Sequence, residues 1–113
     1  MDLVWTVIDI DELRDWPDYP KDAAERFSFV NWPAACSMAI AMIDVGAVWE
    51  PLAVPDDLPD GVRVGLELLV STTPIDATPG QLTDGGHRLL AMKGQGVRFT
   101  VGGAWQELSS DGL

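Results

Sequence analysis

Cysteine and histidine are almost missing: 113 residues hold one of each, Cys36 and His87. A single cysteine excludes an intramolecular disulfide, and the usual structural zinc spacings need clustered Cys and His. The fold must therefore be held by packing. No apolar run approaches the ~18 residues of a membrane span. The opening MDLVWTVIDIDE has no basic stretch ahead of its apolar residues, so a cytoplasmic protein without a secretory signal is expected. Bases are scarce as well: seven Lys and Arg face eighteen Asp and Glu, a formal net charge of −11. A chain so acidic repels a nucleic-acid backbone, which disfavours direct binding of duplex DNA.

What is present describes one globular domain. Apolar residues make up 47% of the chain, too many for a disordered one. The length suits a single core, since domains usually run to about 100–200 residues. The charge is unevenly spread. Residues 1–60 carry thirteen acids against three bases, a net of −10, whereas residues 61–113 carry five acids against four bases, a net of −1. Within the second half, residues 85–106 hold Arg88, Lys93 and Arg98 and no acid, and the only histidine lies there too.

The order of elements predicts a mixed α+β domain. Leu3 to Ile8 reads as a strand, and Lys21 to Phe27 as a brief helix. Residues 33–45, PAACSMAIAMIDV, are apolar nearly all round, with Pro33 early and Gly46 as the stop, which predicts a buried helix. Ala47 to Val54 reads as a strand whose Pro51 prefers an edge, and residues 55–61 as a turn. The β-branched content of Val62 to Thr73 predicts a second strand here. A loop from Pro74 to Gln81 follows, then Leu82 and Thr83 leading into a glycine turn, a helix over His87 to Lys93 and a strand over Val97 to Val101.

The segment Thr83-Asp84-Gly85-Gly86-His87-Arg88 is the one with a chemical rationale. A double glycine opening a helix lets a ligand approach backbone N–H groups at the positive end of the helix dipole, where anions are stabilised. Arg88 offers a bidentate guanidinium, His87 a ring donor, and Asp84 a cap or a partner for Arg88. The same pattern also describes an ordinary turn with Asp capping and Gly filling positive φ.

The stretch Leu82 to Gly102, LTDGGHRLLAMKGQGVRFTVG, resembles the signature of the ParB/sulfiredoxin-like superfamily in its DGxHR form. Thr6 to Leu13 is similar to the family's opening strand and its exit. Ala41 to Gly46 followed by Glu50 to Val54 resembles its helix, glycine and proline-led strand. The resemblance implies a small ParB/sulfiredoxin-like α+β domain that binds a nucleotide, ATP or CTP, with Mg as a companion. Asp84, Gly85, Gly86, His87, Arg88 and Lys93 would then form the binding set. If the domain turns its nucleotide over, by hydrolysis or phosphate transfer, His87 and Arg88 are the catalytic candidates. Sulfinic-acid reduction is not expected, because Gly86 stands where sulfiredoxins carry their reactive cysteine and Cys36 falls in the apolar helix. Ala41 replaces the family's helix serine, and residues 55–81 read as an enlarged connection.

Two other functions are weighed beside nucleotide binding. The first is a non-enzymatic interaction or inhibitor protein whose acidic residues 1–60 dock on a basic partner surface. The second is a ParB-like nuclease, disfavoured by the charge. Asp9 with Asp11 and Asp56 with Asp57 are the acid pairs considered for a metal, against the commoner reading as solvated surface. The five Trp are expected as core or interface anchors, with Trp16 and Trp32 as candidates for a partner surface. Self-pairing into a homodimer is compatible with the module, and its composition suggests a phage or mobile-element source.

Overall fold

The computed structural model of the chain describes residues 2–12, 27–72, 74–75 and 86–106. Three α-helices and a two-stranded antiparallel sheet make up its regular structure, so the α+β expectation holds. Strand β1, Asp2–Asp9, pairs with β2, Phe99–Gln106, in a register that sets Asp2 opposite Gln106 and Asp9 opposite Phe99. A single 3-10 turn, Ile10–Glu12, closes β1, and the amide of Ile10 donates to the Arg98 carbonyl at 2.7 Å.

The far edge of β1 is covered by a short strip around Val48, which bridges Val4 antiparallel. Trp5 N–H donates to the Ala47 carbonyl at 2.9 Å and Trp49 N–H to the Leu3 carbonyl at 2.8 Å. The strand expected over residues 47–54 shrinks to this strip. Pro51 has no amide to offer a ladder, and the Leu52 amide is taken by the Val70 carbonyl at 2.8 Å. On the other side of the sheet, the Gly103 amide donates to the Ile75 carbonyl at 2.8 Å.

That contact explains why β2 continues through two glycines instead of stopping at Val101. A Cβ on Gly102 would lie 2.5 Å from the Ile75 carbonyl oxygen and 2.5 Å from Cδ1 of Ile8. One on Gly103 would meet Leu3 Cδ1 at 2.7 Å and Pro74 Cγ at 3.2 Å. The missing side chains let residues 74–75 and the cross-strand diagonals Ile8 and Leu3 close over the strand.

Helix α1 runs Trp32–Met42, and its buried residues Trp32, Ala35, Cys36 and Ala39 recur at helical spacing. Its first turn is satisfied twice. The Asn31 side chain accepts from the Ala34 amide at 3.3 Å, and Gln95 Oε1 accepts from the Trp32 amide at 3.0 Å while its Nε2 donates to the Val30 carbonyl at 2.7 Å. The helix ends three residues earlier than expected because Ile43 turns extended. Gly46 serves the next turn: at φ +90° it allows the Ala47 amide to reach the Asp44 carbonyl at 3.0 Å.

The largest correction concerns residues 62–73. They form helix α2, Asp60–Leu66, running on into a π-helical turn, Glu67–Ser71, and not a strand. β-branched content misled the reading, whereas the buried residues Val62, Gly65, Leu66, Leu69 and Val70 repeat at i, i+3, i+4, i+7 and i+8. Arg63 adds ion pairs at helical spacing, to Asp60 at 3.2 Å and to Glu67 at 3.4 Å. Helix α3, Gly86–Gly94, agrees with the expected helix. The helix read over residues 21–27 and the strand at Leu82 and Thr83 lie outside the described residues, apart from Phe27, which sits in a turn.

One core joins these pieces: Trp5 and Ile8 from β1, Trp32 and Cys36 from α1, Leu66 from α2, Leu89 and Met92 from α3. Trp32 is fully buried, its indole N–H donating to the Phe27 carbonyl at 3.2 Å, so it is a core anchor and not a partner surface. Among the described residues no helix is long and apolar enough to cross a membrane.

Candidate functional site

Gly86 opens α3, and the first turn of that helix carries no acid. Arg88, in the same turn, does not reach outward. It is 8% exposed, and its Nη1 donates to the Leu68 carbonyl within the π-helical turn. The wide turn matters here, because the Leu68 carbonyl also accepts from the Thr72 hydroxyl at 3.3 Å. The guanidinium suits the carbonyl end of the α2 segment, the negative end of its dipole, whereas its own place in the first turn of α3 gains nothing from that helix's dipole. Lys93 is exposed in the last turn of α3, five residues and thus about 7 Å of helix rise beyond Arg88. The structure therefore separates Lys93 from the start of the helix. Asp84 and Gly85 lie outside the described residues, as does the His87 side chain.

Arg98, which sequence reasoning left at the margin, anchors the other charged centre. Its Nη2 meets Asp9 Oδ2 at 3.1 Å, its Nε meets Asp9 Oδ1 at 3.3 Å, and Asp11 stands 3.7 Å away. The two-point contact holds the Asp9 carboxyl below its usual value, helped by the Asp11 amide, which donates to Oδ1 at 3.0 Å. Asp9 and Asp11 thus serve an ion pair across the ends of β1 and β2. Among the described residues no group of three or more His, Cys, Asp or Glu is arranged to hold a metal ion.

Cys36 is 1% exposed and its Sγ lies 3.2 Å from the Thr100 hydroxyl. Burial pushes its thiol up to about 11, which leaves it protonated and unreactive at neutral pH. Between α1 and the entry to β2 runs a groove of about 280 Å³, lined by Pro33, Cys36, Ser37, Ile40, Val97, Arg98 and Phe99. Sequence reasoning missed it, because its two walls are about sixty residues apart and only the packing of α1 on β2, with Cys36 against Thr100, brings them together.

Comparison of the chain with protein-family models, with curated proteins and with solved structures finds no match.

Proposed function

We propose that this chain is a small phosphate- or nucleotide-binding domain of ParB/sulfiredoxin-like type. The observation that carries the reading is the sequence DGGHR at residues 84–88, whose last three residues open a helix at Gly86 with no acid in its first turn. In this reading the amides at the start of α3 and the His87 ring hold a phosphate of ATP or CTP. Arg88 holds the helix in place through Leu68 and is a positioning residue, not a free clamp. Lys93, about 7 Å of helix rise beyond Arg88, stands outside the first turn that carries this reading. The test is thermal unfolding with millimolar ATP, CTP and GTP, each with and without Mg. A ligand at about 100 times its Kd adds roughly 2.7 kcal/mol, several degrees for a domain of this size. A shift with one nucleotide that His87→Ala abolishes supports the site; no shift with any nucleotide rejects it.

A second reading, an acidic module that docks on a basic partner, is favoured by the distribution of charge on the surface. The acids Asp44, Glu50, Asp56, Asp57 and Asp60 are all exposed. Arg63 and Arg98 are engaged by neighbouring acids, and Arg88 is buried. Among the described residues Lys93 is also exposed, but these acids outnumber it, so negative potential is left facing solvent, where it speeds association with a cationic surface. Capture of a basic partner that is insensitive to salt would reject this reading.

A further inference from the structure

Helix α1 contains no charged residue in eleven positions, WPAACSMAIAM, yet it is not buried on all sides. Pro33, Ser37 and Ala41 are exposed along one stripe, with Ile40 half-buried beside it. A helix lying on a protein surface ordinarily carries charges on its outer face. Pro33 and Ser37 of this stripe, with Cys36 and Ile40, form one wall of the 280 Å³ groove, and Val97, Arg98 and Phe99 form the other. Phe99 is 46% exposed, with the Arg98 guanidinium 5.0 Å from its ring centre.

The groove is below the ~300–1,000 Å³ of small-molecule sites. It has room for a side chain of leucine or phenylalanine size. Its rim selects the neighbours of that side chain. Among the described residues Asp9, Asp11 and Glu12 lie around Arg98, three acids to one base, a net of −2. An anionic ligand is disfavoured because Arg98 is already paired with Asp9 and Asp11. A second copy of this chain is disfavoured because each copy brings a net charge of −11 and, among the described residues, no further cation at this rim. Charge complementarity leaves a cationic partner.

We infer that the groove between α1 and the start of β2 is a docking site for a peptide segment of a partner protein. The segment carries one bulky apolar side chain, seated between Ser37 and Phe99, flanked by Lys or Arg facing Asp11 and Glu12. This rests on the docking reading above and is independent of the phosphate site. Helix-in-groove and strand-edge recognition both use such an anchor, with charges setting orientation.

The test uses the full chain, isotope-labelled for amide NMR, and three synthetic 14-residue probes built from Leu and Lys, Leu and Glu, or Ser and Lys. The Leu/Lys peptide is expected to move the amides of Ser37, Ile40 and Phe99. Ser37→Trp, which fills the groove from an exposed position, should weaken it tenfold or more, and Phe99→Ala severalfold. The double change Asp11→Asn with Glu12→Gln should flatten the salt dependence. Circular dichroism establishes that each variant is folded. Equal binding of the Leu/Glu peptide overturns the proposal, as does Leu/Lys binding that ignores both groove variants. Self-association that Ser37→Trp abolishes overturns it in favour of a second copy. Salt-sensitive binding of the Ser/Lys peptide with shifts only around Asp56 to Asp60 overturns the groove and leaves the docking reading standing. Absence of binding by every cationic peptide overturns both.

Discussion

Replacing Arg88 separates a structural guanidinium from one reserved for a ligand. Arg88→Met keeps most of the apolar stem and removes the donor to the Leu68 carbonyl. A hydrogen bond from a charged group contributes about 1.5–3 kcal/mol. The Thr72 hydroxyl, 3.3 Å from the same carbonyl, prevents that oxygen from being orphaned, which favours the lower half of the range. Arg88→Ala also strips the two buried methylenes beyond Cβ, at ~0.8 kcal/mol each. The expected losses are about 1–2 kcal/mol for Met and about 3–4 kcal/mol for Ala. At roughly 4–5 °C per kcal/mol for a domain of this length, the Tm should fall by about 5–10 °C and about 12–20 °C. The assay is reversible thermal unfolding followed by circular dichroism, without ligand. If Arg88→Met melts within a degree of the wild type, the contact with Leu68 contributes nothing and the argument fails. A guanidinium kept for phosphate would behave in the opposite way, leaving the ligand-free midpoint unchanged and abolishing only the ligand-induced shift.

Gly102→Ala should cost about 1–3 kcal/mol or more by overpacking, because the new methyl group meets a backbone oxygen and Ile8 Cδ1, both at 2.5 Å. Urea unfolding will measure it, and an unchanged midpoint would show that residues 74–75 do not close over β2. Cys36 should react with a disulfide reagent only on unfolding. Its folded value of about 11 lies above the ordinary 9.0, so the unfolded chain loses its proton first and stability falls as pH rises from about 9 to 11. At ~1.4 kcal/mol per unit this amounts to roughly 2–3 kcal/mol at the upper end of that window. Cys36→Ala, compared over the same pH range, should lose less; parallel profiles would refute the assignment.

Much of the fold was legible where local signals agreed. Pro33 at the start of α1 and the β-rich run of β1 needed no distant information. Val62 to Val70 failed because two local signals disagreed and the weaker one, β-branched content, was followed. The repeat of Val62, Leu66, Leu69 and Val70 and the spacing of Asp60, Arg63 and Glu67 were the better guides. The end of β2 was not legible, since only the approach of Pro74 and Ile75 explains glycines inside a strand. The site divides in the same way. A helix starting at Gly86 follows from the glycine pair, but the burial of Arg88 depends on a carbonyl twenty residues earlier, in a turn read as a strand.

Pairing residues 2–9 with residues 99–106 imposes a timetable on the molecule. A ribosome emitting ~5–20 residues each second exposes Trp5 and Ile8 long before Thr100 and Val101 arrive to meet them. Helices α1 and α2 are made in the interval, and they touch each other more than either touches the late strand. The nascent chain must therefore wait with its first strand unzipped on one side. Closing so wide a loop is the slow, entropy-limited step of such topologies. During that wait the net charge of −10 on the first sixty residues makes one unfinished chain repel the next.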